Sequence, residues 1–323
     1  MQKLFRAPAL VVLLLLLVRC GSTASPVPLA RRPTFTAVVL APVPTTAIPP
    51  PLPTSTSVPT AAPSTELLST VVPLPSDARP GLPAQVRVVI VYDNTAYRQG
   101  LAAEWGFSAW IEYGEHTILF DTGPDGAALL DNVAQLGLSP QDIDAVVLSH
   151  IHGDHVGGLD ALLETGIQPV VYAPVSFPDA FEQDIRAHTE LVQVLDPVEI
   201  FPGLHSTGQL GVSPSEQALV AETSAGMVVI TGCAHPGIVR IVRQAQGLVG
   251  GEIALVMGGF HLAGTDPMVV GDIVDTFREV GVKQVCPTHC TGERAVKVFA
   301  DEYGEDYLEG GAGRVLIVGS DQS

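Results

Sequence analysis

Basic side chains are scarce in this chain: 16 lysines and arginines stand against 34 aspartates and glutamates in 323 residues, a formal charge of −18. A protein that neutralises phosphates along a nucleic acid needs a basic surface, so no nucleic acid is expected as a partner. Acidity of this size serves solubility and carries no information about the fold. It leaves a phosphate-bearing small molecule open as substrate, because a bound metal ion can supply positive charge locally. Cysteine is sparse too. Beyond Cys20 there are only Cys233, Cys286 and Cys290, an odd number without the spacing of a disulfide framework. That argues against a bridge-stapled scaffold, although a single bridge stays open in an oxidising compartment. The leading apolar run, Ala9 to Val18, is too short to span a bilayer comfortably.

The start of the chain reads as a targeting segment. Lys3 and Arg6 form a positive n-region ahead of that apolar run. It ends in Leu17-Val18-Arg19-Cys20-Gly21, which resembles the lipobox of bacterial lipoproteins, with Cys20 as the lipidated residue. Arg19 stands where that pattern expects a small residue, so a secretory signal cut near Ala24 and an uncleaved anchor remain open. Each of the three exports the remainder, either held at a membrane by a lipid or signal anchor or secreted. Residues 1–20 are thus expected to be the signal segment. Residues 21–83 are rich in Pro, Thr and Ser, as in Ile48-Pro49-Pro50-Pro51. Proline at this density removes backbone donors and fixes φ, so neither helix nor sheet propagates and a disordered, extended linker is expected.

From residue 84 to 323 the pattern alternates short apolar runs with amphipathic stretches, which predicts an α/β fold. Strands are expected at 86–92, 109–113, 117–120, 145–148, 170–173, 217–222, 227–231, 253–257, 284–287 and 314–318. Helices are expected at 127–136, 159–164, 238–246, 268–280 and 293–303. The apolar run Ala145-Val146-Val147-Leu148 stops at Ser149-His150-Ile151-His152-Gly153-Asp154-His155. Three imidazoles and a carboxylate delivered to one strand end are the donor set of a transition metal. His150 and His152, two apart on an extended ending, can face one ion. Asp154 and His155, past the Gly153 turn, can reach a second. His235 and His289, each following an apolar run, are the best additional ligands.

Taken together, Phe120-Asp121-Thr122-Gly123 and the histidine cluster resemble the metallo-β-lactamase superfamily of metal-dependent hydrolases. A closer resemblance is to the branch named for an archaeal dihydropterin-ribofuranosylaminobenzene phosphate synthase. It lies in Tyr92-Asp93-Asn94, Glu104-Trp105-Gly106-Phe107-Ser108, Gly232-Cys233-Ala234-His235-Pro236-Gly237, Gly258-Gly259-Phe260-His261-Leu262 and Pro287-Thr288-His289-Cys290-Thr291-Gly292. The resemblance implies a four-layer αβ/βα sandwich with one or two divalent metals in the cleft, zinc first and manganese or iron second. It also implies a hydrolase that uses a metal-activated water on a small phosphate- or ester-bearing molecule. Asp154 would be a ligand and proton acceptor. Two other functions stay open: a synthase-type transfer, and a tethered binder of metal or ligand without turnover. Asp121 reads as an acceptor for a ligand's ring N–H or as a turn-capping acid. Asn94 stands as a possible ligand or supporting group. Cys233 takes the place of the family's usual bridging aspartate and reads as a ligand or a small buried hydrophobe. His261 reads as a ligand, a proton donor to a leaving group, or a core residue. His205 falls near the family's usual third motif, and an ordinary loop histidine is the favoured reading. His116 and His188 read as surface residues.

Overall fold

The computed structural model describes residues 82–319. The expected signal segment with Cys20, and all of the expected linker but its last two residues, lie outside the described residues. Near-continuous apolar runs dominate the strands because each sheet is covered on both faces. The first sheet has the order β13-β1-β2-β3-β4-β5-β6. Its members are β1 (Gln85–Tyr92), β2 (Ser108–Tyr113), β3 (His116–Phe120), β4 (Ala145–Val147), β5 (Val170–Pro174), β6 (Leu191–Val194) and β13 (Val315–Gly319). The second has the order β12-β11-β10-β9-β8-β7. It comprises β7 (Val198–Phe201), β8 (Leu204–Ser206), β9 (Leu219–Thr223), β10 (Gly226–Thr231), β11 (Ile253–Gly259) and β12 (Val282–Thr288). Each sheet begins with antiparallel hairpins and then turns parallel, at β3–β4–β5–β6 and at β10–β11–β12.

Side chains alternate across the strands with period two. In β1, Val86, Val88 and Ile90 face the space between the sheets, where they meet Phe120, Leu219, Val228, Leu255 and Met257. Val89 and Val91 of the same strand face outward. There they pack with Leu129 and Val133 of α1 (Gly126–Gln135) and Leu159 and Leu162 of α3 (Leu159–Glu164). Ile185 of α4 (Asp179–His188) joins that layer. The outer face of the second sheet is covered by α5 (Ile238–Val249), α6 (Pro267–Glu279) and α7 (Glu293–Tyr303) through Ile241, Val242, Val274, Phe277 and Phe299. Caps are local: Asp125 accepts from Ala128 N at 2.8 Å at the start of α1, and Asp266 does the same for Met268 N at 2.8 Å. The result is the expected four-layer sandwich.

Three strands went unanticipated: β6, β7 and β8. They are four, four and three residues long and interleave Gln193, Glu199 and His205 with their apolar positions. A run that short carries too little periodicity to separate strand from loop. The expected loop around His205 is therefore corrected to strand β8.

Candidate metal centre

Strand ends build the site. Asp121 follows β3, the 149–155 segment follows β4, Cys233 and His235 follow β10, His261 follows β11, and His289 follows β12. α2 (Gly153–Val156) is a single helical turn that presents Asp154 and His155 together. Among the described residues, the non-glycine residues with positive φ are Asp121, Ala234, His261 and His289, at +57°, +58°, +53° and +49°. Such a conformation is uncommon for L side chains and persists where surrounding contacts over-determine it. All of them fall here, at the ends of four different strands.

The hydrogen-bond network sets the tautomers of the buried rings. His155 Nδ1 donates to Asp121 Oδ2 at 2.7 Å, and His289 Nδ1 donates to Asn94 Oδ1 at 2.9 Å. In its neutral form each ring keeps a lone pair on Nε2, and these two atoms face each other at 3.2 Å. Asp154 Oδ2 lies 3.5 Å from His155 Nε2 and 3.4 Å from His289 Nε2. Three converging lone pairs repel one another unless a cation lies among them. A tetrahedral metal with bonds of about 2.0–2.1 Å separates its ligand atoms by about 3.3–3.4 Å, and these spacings match that face.

A second triad lies alongside. Ser149 Oγ donates to Asp121 Oδ2 at 2.7 Å and so accepts from His150 Nδ1 at 2.8 Å, which leaves the lone pair of His150 on Nε2. That atom faces His152 Nδ1 at 3.1 Å. His150, His152 and His235 bring one donor atom each to within 4.8 Å of one another. His235 Nε2 is buried and has no hydrogen-bond partner. A buried ring nitrogen without a partner is costly in water-excluded protein and suited to a cation. The residues present thus fit a pair of metal ions. His261 is exposed at the rim with its ring 4.2 Å from that of His235, and Trp105, also exposed, stands 5.0 Å from the His289 ring.

Residues 106–277 match the family model of the metallo-beta-lactamase superfamily. The chain belongs to that superfamily. A relative from Methanocaldococcus jannaschii, 7,8-dihydropterin-6-methyl-4-(beta-D-ribofuranosyl)-aminobenzene-5'-phosphate synthase, is 27% identical over 69% of this chain and 93% of its own length. Among solved structures, Tm1679, a metal-dependent hydrolase of the β-lactamase superfamily, superposes with a TM-score of 0.60. It is 28% identical and covers 73% of this chain and 100% of its own. The zinc-bound PqqB of Methylobacterium extorquens shares the fold at a TM-score of 0.50 and 16% identity, covering 71% of this chain and 99% of its own.

Within this metallo-β-lactamase fold, the structure brings His150, His152, Asp154, His155, His235 and His289 to one place, with Cys233 among them. Cys20 lies outside the described residues. His205 pairs instead with Glu222 at 2.9 Å and joins no donor group, while His116 stacks on Phe201 and His188 is exposed on α4. Asp121 does more than cap a turn, since its two oxygens accept from Ser149 N, Ser149 Oγ and His155 Nδ1. Gly232 is required beside it, because a Cβ there would sit 2.1 Å from Ser149 Oγ. Asn94 holds His289 from two sides, its Nδ2 donating to His289 O at 2.9 Å.

Glu216 was not legible. It sits in the loop between Pro214 and strand β9, yet its buried carboxylate accepts from the amides of Cys233, Ala234 and His235 at 2.8–2.9 Å. Those bonds lock the turn that carries two of the site's side chains. Asp93 accepts from His289 N at 3.1 Å and Asn94 N at 2.7 Å, and burial pushes its carboxyl up to about 7 against those bonds. Burial pushes His235 down to about 4, with His261 and His152 adding to it. Burial likewise lowers His150 and His289. These rings are held neutral, the form that binds a metal. Burial would lower His155 as well, but the Asp121 carboxylate outweighs it and the ring is raised. The Cys290 thiol and then burial push the Cys233 thiol up.

Proposed function

We propose that this chain is a metal-dependent hydrolase acting on a small phosphate- or ester-bearing molecule. The observation that carries the reading is the pair of adjacent donor triads, with three ligand atoms of one triad spaced 3.2–3.5 Å apart. Two divalent ions held there would lower the pKa of a bound water and polarise the oxygen of the scissile bond. The six nitrogen and oxygen donors include a single carboxylate, so a loaded centre is net positive and favours an anionic phosphate oxygen. A donor set dominated by imidazole, with thiols nearby, favours zinc over manganese or iron.

The chain's own groups have distinct tasks in this reading. Asp154, half-buried and held down to about 2 by His289 and His155 against the opposing effect of burial, stays ionised, so it serves as a ligand that would orient a bound water without keeping its proton. His261, exposed beside the triads, is positioned to give one to a leaving group. Trp105 offers a flat apolar face at the rim on which a substrate ring can lie.

The likeness to the M. jannaschii synthase supports a second reading, a group transfer in which an organic acceptor replaces water. We also propose that the activity is exported and held at a membrane through Cys20, which makes a cytoplasmic biosynthetic step the weaker reading. Incorporation of a palmitate analogue that is lost in Cys20→Ser tests the anchor. The zinc-loaded domain should turn over one class among phosphodiester, phosphomonoester, lactone and lactam models, and Asp154→Asn should abolish that turnover with the fold intact. Ligand affinity that survives in Asp154→Asn without any turnover in the parent would favour a binding protein. Failure to retain even one equivalent of zinc after loading would overturn both enzymatic readings.

A further inference from the structure

We propose that Cys233 is a thiolate ligand shared by both metal positions, and this rests on the two-metal reading above. Its side chain is buried, and its Sγ lies 3.4 Å from His155 Nε2. For a zinc with bonds of about 2.0–2.1 Å to nitrogen and about 2.3 Å to sulfur, tetrahedral geometry places those ligand atoms about 3.5 Å apart. Cys233 recurs across the donor groups whose atoms lie within 4.8 Å of one another. It groups with His150 and His155, with His235 and His261, and with His289 and Cys290. His150 and His235 belong to one triad, His155 and His289 to the other, so this sulfur reaches both.

The carboxylates nearby are committed elsewhere. Asp154 groups only with His155 and His289. Asp121 is occupied by Ser149 and by the outer nitrogen of His155, and Glu216 by three backbone amides. Those amides belong to the turn of Cys233 itself, so the sulfur's position is imposed by Glu216 and by the positive φ of Ala234. The space is tight behind it as well: a Cβ on Gly259 would sit 2.7 Å from Cys290 Sγ and 3.2 Å from Cys233 Cα. On loading, the S–H bond breaks, sulfur–metal bonds form, and the proton leaves to solvent. A soft donor at the centre selects zinc over harder ions.

The test is X-ray absorption on protein stripped by chelator and reloaded with zinc, with metal counted by elemental analysis. Two zinc ions per chain with an average of one sulfur per zinc, at about 2.3 Å, is the expected result. Half a sulfur per zinc means a terminal thiolate and overturns the sharing. Cys290→Ser should leave the sulfur shell unchanged, and Cys233→Ser should remove it and weaken the second zinc at least tenfold. Cys233→Asp should bind two zinc ions with no sulfur shell, which shows that the site survives the loss of the thiol. A shell that persists in Cys233→Ser, or that halves in Cys290→Ser, overturns the proposal. One zinc per chain in the parent overturns the two-metal reading itself, and the zinc count reports this independently of the sulfur.

Discussion

Asp121→Asn removes one oxygen from the carboxylate that connects the two triads. Asp121 Oδ1 accepts from Ser149 N at 2.6 Å, while Oδ2 accepts from Ser149 Oγ at 2.7 Å and His155 Nδ1 at 2.7 Å. An amide supplies one acceptor and one donor, so one of its two orientations must be chosen. With the amide nitrogen toward Ser149 N, two donors meet in a fully buried place, and an unmade buried bond costs about 1–3 kcal/mol of stability. With the nitrogen in place of Oδ2, Ser149 Oγ must turn its proton toward His150 Nδ1, and the His155 ring escapes by moving its own proton from Nδ1 to Nε2. That proton then occupies the atom that faces His289 Nε2 and Asp154 Oδ2, and metal binding must displace it. The same energy then appears in affinity, as a loss of about 5- to 150-fold at the Asp154/His155/His289 position. The assay is zinc titration against a chromophoric chelator, paired with urea unfolding of the metal-free protein. Either the zinc affinity or the unfolding midpoint must fall. A variant whose affinity stays within twofold of the parent and whose midpoint is unmoved would refute the orienting role of Asp121.

Glu216→Gln should destabilise the metal-free protein by about 2–4 kcal/mol, because the amide cannot accept from all three of the amides that the carboxylate holds. Zinc affinity at His150/His152/His235 should fall with it, and a urea midpoint equal to the parent's would show that the turn holds itself. Asp93→Asn keeps the acceptor for Asn94 N and His289 N but removes the ionisable group. The folded-state pKa of Asp93 is raised to about 7, so its contribution is fully present below the unfolded value of 3.8 and is lost as pH rises through about 7. The parent, freed of metal, should therefore lose stability relative to Asp93→Asn as pH rises from about 4 to about 7, by at most about 1.4 kcal/mol per pH unit, and the two curves should run parallel above that. Stability curves that are already parallel over the lower range would contradict that.

Much of this fold is legible from residue order alone. Apolar runs buried on both faces marked the longer strands, and the His150–His155 cluster announced its chemistry because adjacent residues on one strand end share a location without any help from the fold. The stretches around Asp121, His235, His261 and His289 were recognisable as strand ends. Their distances from one another were not, since residues separated by 134 positions, such as His155 and His289, meet only when two sheets pack face to face. The short strands β6 to β8 escaped because a few residues with alternating polarity carry little signal. Glu216 escaped for a deeper reason: it acts on backbone amides, which every residue possesses, so no side-chain pattern reveals its partners. Packing in three dimensions sets which ring nitrogens keep their lone pairs, because that depends on Asp121, Ser149 and Asn94 arriving from separate segments. It also sets Cys233 between the triads, because a thiol's place relative to two sheets is fixed only once they pack.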